Sequence, residues 1–233
     1  MASIRSVNPN DPSEVVFEIE PASAAEIDSA LEAGVEAQGS WAADSMLRLR
    51  GLGALADEIE ARRQGFVDLM VQEVGKPEPE AAGEVDRAVS ILRFYAQIPL
   101  DPVGEVVPGS VPGARVLVER NPLGLVLAIC PWNFPLAIPL WKAAPALAYG
   151  NTVVIKPASP AIATANLLVE CAREVLPPGV LQVLPIKLEK MGRTAIYGSF
   201  FNFYLCDFRG RVRLPGITVP VNYTVGAERC DLG

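Results

Sequence analysis

Two polar side chains, Asn133 and Lys156, follow neighbouring predicted strands and are the residues best placed to do chemistry. The apolar run 125–130 has strand length and is stopped by a proline, and 152–155 is a second, β-branched run. A helical segment over about 136–149 joins them and ends at a glycine and an asparagine. Strand, helix and strand in this order predict a right-handed crossover onto a parallel sheet, and ligands bind at the carboxyl ends of such strands. We therefore expect Asn133 and Lys156 at one edge of the sheet.

Each of these polar residues also has a purely structural interpretation. Asn133 lies in a turn with prolines on both sides, where its amide could satisfy local backbone groups instead of a ligand. Lys156 could be an ordinary surface lysine, although its place at a strand end favours a cation with a buried stem at the ligand edge. Ser159 could cap the helix that starts just after Pro160.

The same stretch carries a family resemblance. PWNFP at 131–135 and PLWKAAPALAYGNTVVIKPAS at 139–159 resemble the aldehyde dehydrogenase superfamily. The resemblance runs from about residue 20 to Pro185, is strongest between Glu119 and Pro185, and marks the N-terminal part of such an enzyme. It implies oxidation of an aldehyde, with a semialdehyde as one candidate, to the carboxylic acid with NAD or NADP through a cysteine thiohemiacetal. It also implies an α/β fold, with a helical N-terminal segment and a partial parallel, Rossmann-like sheet.

The resemblance assigns roles to residues of this chain. Asn133 is the catalytic candidate, because it would donate hydrogen bonds to the oxyanion that forms when a thiolate attacks the aldehyde. Lys156 would hold the hydroxyls of the adenosine ribose. Many family members have Glu where Ser159 stands, and a small hydroxyl leaves room for a 2′-phosphate, which favours NADP or dual use over strict NAD. The expected cofactor-binding residues are Cys130, Pro131, Trp132, Asn133, Lys156, Pro157, Ala158 and Ser159.

The remaining chain is predicted to fall into three regions. Residues 1–113 form a helical N-terminal region, with a capping box from Ser23 to Glu26, a second cap at Asp44 and a loop over 101–113. Residues 114–185 hold a half-exposed edge strand at 114–120, which pairs subunits in the resembling family, and the first βαβαβ half of the cofactor-binding domain. Residues 186–233 form a divergent tail with seven Lys/Arg and four Asp/Glu. A foreign reading frame, a spliced tail or an insertion domain would each account for it.

Composition narrows the possible functions. A net charge of −7 argues against a nucleic-acid surface, and the absence of histidine removes imidazole chemistry. Four cysteines without metal spacing predict no metal site and suit the cytoplasm, and we expect no membrane segment. At a strand end, Cys130 is predicted to be a packed, inert thiol. The nucleophilic cysteine and the general base of the resembling family lie downstream of the matched region.

These observations support two hypotheses. In the first, the chain is a truncated aldehyde dehydrogenase that is inactive by itself, while its parent acts on a small-molecule aldehyde as a homo-oligomer, a dimer or a tetramer. In the second, it is a non-catalytic binding or assembly module that docks on full-length relatives through the edge at 114–120.

Overall fold

The computed structural model describes residues 3–110 and 114–186, and the backbone of two short strands at 205–207 and 211–213. The chain begins with an antiparallel pair, β1 (Ile4–Asn8) and β2 (Asp11–Ile19). Four helices follow: α1 (Ala24–Ala43), α2 (Ser45–Ala61), α3 (Arg63–Val74) and α4 (Glu78–Gln97). The expected helical N-terminal segment is therefore present.

Local capping accounts for the first helix boundaries. The hydroxyl of Ser23 accepts from the backbone N–H of Glu26, and the Glu26 carboxylate accepts in return from the N–H of Ser23, so the predicted capping box is confirmed. Asp44 caps α2 by accepting from the N–H of Leu47 at 2.9 Å, as predicted. Gly75 ends α3 with a φ of 64°, a left-handed conformation that favours glycine.

A three-stranded parallel sheet forms the second part of the chain. Its elements are β5 (Leu125–Ile129), α5 (Ala137–Ala148), β6 (Thr152–Lys156), α6 (Ile162–Val175) and β7 (Leu181–Val183), and the strand order is β5-β6-β7. Every residue of β6 is buried, as expected for a central strand covered on both faces. The predicted strand, helix, strand order and the α/β fold class are confirmed.

The N-terminal helices α1 and α2 are hydrogen-bonded to the end of α5, the first crossover helix of the sheet. The indole N–H of the buried Trp41 donates to the carbonyl of Leu147 at 3.0 Å. The guanidinium of Arg48, which is also buried, donates to the carbonyls of Ala148 and Trp41 at 3.0 Å each. Buried polar groups need such partners, so these bonds fix the C-terminal end of α5 against α1 and α2.

The prediction of a loop over 101–113 was wrong in part. β3 (Gly104–Pro108) lies within it and pairs antiparallel with β4 (Arg115–Glu119), Val106 lying opposite Leu117. The glycines and prolines that suggested a loop flank this strand and do not interrupt its pairing. β4 was expected to be half-exposed, yet all five of its residues are exposed, because the hairpin projects from the rest of the described chain.

In the tail, the backbone shows one further antiparallel pair, β8 (Leu205–Asp207) with β9 (Arg211–Arg213). The other residues after 186, and with them the interpretations placed on the tail, lie outside the described residues. Among the described helices, none combines the length and the apolar character that crossing a membrane requires.

Candidate functional site

The carboxyl ends of β5 and β6 lie side by side. Ile129 pairs with Lys156 in the sheet register, and the N–H of Cys130 donates to the carbonyl of Lys156 at 3.0 Å. The two segments that leave the sheet here, 130–135 and 156–159, therefore start next to each other. They contain all eight of the residues that the sequence nominated.

Asn133 lies in the exposed turn between β5 and α5. Within the described part of the chain its side-chain amide makes no hydrogen bond, so the amide does not satisfy local turn backbone. Its neighbours Trp132 and Phe134 are exposed as well, at 55% and 47% of their surface. Two hydrogen-bond donors on this amide are thus available to a group that enters from solvent.

A buried ion pair from the helical segment contacts this turn. The ammonium of Lys76 pairs with the carboxylate of Glu84, and their side chains are only 8% and 0% exposed. Lys76 also donates to the carbonyl of Asn133 at 2.9 Å and lies 4.1 Å from the ring centroid of Phe134. The second carboxylate oxygen of Glu84 accepts from the N–H groups of residues 136 and 137, both at 2.9 Å, which caps the N-terminus of α5.

Lys156 is buried, with only 5% of its surface exposed, so the surface-lysine interpretation is wrong. Burial lowers the pKa of its ammonium, and the nearby Cys130 thiol acts in the opposite direction. No carboxylate in the described chain forms an ion pair with it. A buried cation without an anionic partner is costly, and such groups cluster at functional sites.

Cys130 is a buried free thiol whose sulfur contacts the carbonyl of Ala128 at 3.6 Å. Burial raises its pKa to about 12, although the ammonium groups of Lys142 and Lys156 lower it in part. Burial likewise raises the pKa of Cys171 to about 11. Because the thiolate is the nucleophilic form, burial disfavours both cysteines as nucleophiles at neutral pH. Cys130 is packed, as predicted, and its inertness stays a prediction.

The segment after β6 differs from expectation at Ser159. Pro157 is buried, Ala158 is half-buried, and Ser159 is exposed at the start of the short 3₁₀ turn Ser159–Ala161. Ser159 makes no side-chain cap, so its predicted capping role was wrong. The turn places it before the helix, and the cap comes from Glu73 of α3.

Glu73 reaches the N-terminus of α6 from a position 90 residues earlier. Its carboxylate accepts from the N–H of Ala163 at 2.5 Å, and from the N–H and hydroxyl of Thr164 at 2.9 Å each. Burial raises the pKa of Glu73, while the hydrogen bonds from Thr164 and Ala163 lower it in part. The N-termini of both crossover helices are therefore occupied by carboxylates of the helical segment.

Sequence reasoning missed Glu73, Lys76 and Glu84. The only available signal was position: Glu84 lies three residues after Ala81 and four before Ala88, on the buried stripe of α4. A carboxylate on an apolar stripe needs a buried partner, but the stripe alone does not say which one.

Parallel strands, two crossover helices and a ligand-facing edge define an α/β protein of the dinucleotide-binding class. The model of the aldehyde dehydrogenase family matches residues 1–198. The chain belongs to the aldehyde dehydrogenase family. The match begins before residue 20 and continues past Pro185, so it is wider at both ends than the sequence motifs indicated.

Individual relatives agree with this assignment. An alpha-ketoglutaric semialdehyde dehydrogenase of Bacillus subtilis is 39% identical over 183 residues, 78% of this chain and 38% of its own length. The NADP-dependent glyceraldehyde-3-phosphate dehydrogenase of Bacillus halodurans, solved with NADP, superposes with a TM-score of 0.76 at 34% identity, over 82% of this chain and 41% of that one. A 1-pyrroline-5-carboxylate dehydrogenase from Thermus, solved with bound NAD, gives 0.75 at 36% identity, over 82% and 38%. The chain thus spans about 40% of the length of such relatives.

Proposed function

We propose that this chain forms the oxyanion-donating turn and the adenosine side of the cofactor site of an NAD(P)-dependent aldehyde dehydrogenase. The overall reaction converts an aldehyde, NAD(P)⁺ and water to the carboxylic acid, NAD(P)H and a proton. The name of the Bacillus subtilis relative favours a semialdehyde as the substrate. When bound, the cofactor supplies the hydride acceptor.

The observation that carries this proposal is the side-by-side arrangement of the two strand ends. One presents the unbonded amide of Asn133, and the other presents a buried ammonium, Lys156, that lacks an anionic partner in the described chain. In the proposed role, Asn133 donates to the aldehyde oxygen as negative charge develops on it during thiolate attack. Lys156 donates to the hydroxyls of the adenosine ribose.

The residues present fit a dinucleotide, but not with its phosphates at the helix N-termini. Glu84 accepts from the first N–H groups of α5, and Glu73 from those of α6. A phosphate placed there would meet a carboxylate instead of free N–H donors, so the usual anion site of the fold is not available. Cofactor contacts then fall on the strand-end segments 130–133 and 156–159.

Ser159 supports NADP or dual use over strict NAD. The residue is exposed and its hydroxyl is not engaged in a helix cap, so it is free to donate to a 2′-phosphate. Together with the positive charge of Lys156, it gives a phosphate at this place attraction and no repulsion. Relatives solved with NADP and with NAD show that the family accommodates both.

We propose that the chain alone does not turn over aldehyde. The described thiols, Cys130 and Cys171, are both buried and hold their protons at neutral pH. The thiohemiacetal and its general base therefore require residues other than these, which the family supplies further along its chain.

A chimera tests the proposed function. Residues 1–185 are joined to the downstream part of the Bacillus subtilis relative, and NAD(P)H formation is measured with a panel of semialdehydes. Asn133→Ala should lower kcat by about 10²–10³ with little change in KM, as removal of an oxyanion donor does. An unchanged kcat would remove Asn133 from the chemistry. The chain alone should give no NAD(P)H. If it does turn over, and turnover disappears when Cys230 of the tail is replaced by serine, the nucleophile lies within this chain.

A second candidate function, an assembly module, is favoured by the β3–β4 hairpin. Val106 and Leu117, which lie opposite each other, are 63% and 61% exposed. Exposed apolar strands favour pairing with another chain, which would also account for a homo-oligomeric parent. Sedimentation of the wild-type chain and of Leu117→Lys tests this. If the substitution abolishes self-association or binding to a full-length relative, the candidate is supported. A chain that stays monomeric with and without the substitution contradicts it.

A further inference from the structure

The Lys76–Glu84 ion pair makes contacts that helix capping alone does not require. Glu84 caps α5 with one carboxylate oxygen, just as Glu73 caps α6, yet in the described chain no cation pairs with Glu73. A lysine is therefore not needed for a buried carboxylate to cap a helix here. What Lys76 adds is a set of contacts on the turn between β5 and α5.

Those contacts hold the second half of the turn, from residue 133 to the first residue of α5. On the β5 side, Lys76 donates to the carbonyl of Asn133 and lies over the ring of Phe134. On the α5 side, its partner Glu84 accepts from the N–H groups of residues 136 and 137. A carbonyl held by a charge-assisted hydrogen bond restricts the orientation of its peptide plane, and this limits the directions in which the Asn133 side chain can leave the backbone. Pro135, which lies between these two sets of contacts, is buried.

We propose that Lys76 and Glu84 are positioning residues that hold the Asn133 amide in a donating orientation at the sheet edge. The inference rests on the proposed role of Asn133. Lys76 sets the 133–134 peptide from outside the cofactor-binding part of the chain, and Glu84 fixes both Lys76 and the first turn of α5. Neither side chain touches the aldehyde.

Amide hydrogen exchange and ¹⁵N relaxation of the whole chain test this without cofactor or substrate. In Lys76→Met, the amides of residues 133, 134, 136 and 137 should exchange at least tenfold faster, while those of the α4 core change less than threefold. The order parameter at Asn133 should fall from the rigid range, about 0.85, to below about 0.6. Lys76→Arg keeps a charged donor and should recover part of both values.

Arg63→Met is the matched control, because the Arg63–Asp86 pair joins α3 to α4 at the surface, with 2.5 Å between Nη1 and Oδ1, and does not touch the turn. It should leave exchange at 133–137 unchanged. If amide exchange in Lys76→Met accelerates equally in the turn and in the α4 core, or does not change in the turn, the inference is overturned. If Lys76→Met does not fold, Phe134→Leu replaces it as the test, because Phe134 is exposed and its ring lies under the Lys76 ammonium. A two- to fivefold faster amide exchange confined to the turn supports the positioning role, and unchanged exchange contradicts it.

Turnover of the chimera separates this inference from the proposed function. Lys76→Met should lower kcat with KM unchanged, and Lys76→Met combined with Asn133→Ala should be no slower than Asn133→Ala alone, because both act on the same donor. If Asn133→Ala has no effect while the turn still loosens in Lys76→Met, the proposed function fails and the structural contact stands. If Asn133→Ala slows turnover but Lys76→Met leaves amide exchange in the turn unchanged, only the positioning role fails.

Discussion

Replacing Lys156 with methionine should stabilise the fold and weaken cofactor binding at the same time. The ammonium is buried, burial lowers its pKa, and no carboxylate of the described chain pairs with it. Methionine keeps most of the stem packing and removes the desolvated charge. Single substitutions that relieve a local cost of this kind typically stabilise a protein by about 0.5–2 kcal/mol. For a chain of this size, each kcal/mol corresponds to a rise of roughly 2–4 °C in Tm.

The pH dependence of stability gives a second signature of Lys156. Its pKa in the folded state lies below the usual 10.5, so between those two values the unfolded chain holds a proton that the folded chain has lost. The free energy of unfolding of the wild type should therefore rise with pH across this alkaline window. Lys156→Met should lack that rise, and its stability advantage should shrink as the pH approaches 10.5.

Lys142 offers a matched control for both measurements. It is also buried, with its pKa lowered mainly by burial, but its ammonium donates to the carbonyl of Ile129 at 2.5 Å. Lys142→Met removes a hydrogen bond as well as a charge, so no stability gain is expected.

Lys156→Met should also weaken binding of 2′,5′-ADP, the adenosine end of NADP, by about ten- to a hundredfold, because one charge-assisted hydrogen bond is lost. A destabilised Lys156→Met with unchanged binding would refute the reasoning.

Three further predictions, one of them with a control substitution, test other parts of the structure. Ser159→Glu should weaken 2′,5′-ADP relative to 5′-ADP by about ten- to a hundredfold in calorimetry, because a carboxylate would face the 2′-phosphate. Gly179→Ala should lower the free energy of unfolding in urea by about 1–3 kcal/mol, because the φ of Gly179 is 85° and an added Cβ would lie 2.4 Å from the carbonyl oxygen of Ala33. Gly83→Ala is the control: Gly83 lies on open helix surface, so the substitution should raise the free energy of unfolding by up to about 1 kcal/mol. Glu73→Ala leaves buried donors of α6 unpaired and should cost about 1–3 kcal/mol.

Each of these has an outcome that contradicts it. An unchanged ratio of the two ADP ligands would mean that Ser159 does not face the ribose. Equal stability of Gly179→Ala and wild type would mean that the turn before β7 relaxes freely. For Glu73, whose folded-state pKa is raised above 4.5, wild-type stability should fall as the pH rises from 4.5 to the folded value. A fall of the same size in Glu73→Ala would show that another group causes it.

The elements fixed by short-range patterns were predictable from the sequence. The capping box of Ser23, the Asp44 cap and the β5-α5-β6 unit all depend on residues a few positions apart, and each lies where its pattern placed it. The convergence of Asn133 and Lys156 followed as well, because parallel strands joined by a helix end at one edge of a sheet.

The contacts that shape the site were not predictable, because they join residues far apart in sequence. Glu84 meets the start of α5 across 52 positions, and Glu73 meets Ala163 across 90. A carboxylate on a helix is by default a solvated one, and only the packed structure shows which helix end it caps. The cap at Ser159 failed for the same reason, since Glu73 already supplies the acceptors that a serine would have offered.

Mapping the cofactor onto the chain tests the central claim most directly. Amide chemical shifts are followed while NADP⁺ and then NAD⁺ are added to the ¹⁵N-labelled chain. Saturable shifts should concentrate in 130–133 and 156–159, beyond the carboxyl ends of β5 and β6, and Lys156→Met should weaken them. Shifts that concentrate elsewhere, or that are indifferent to Lys156, would contradict the assignment of this edge as the adenosine side of the cofactor site.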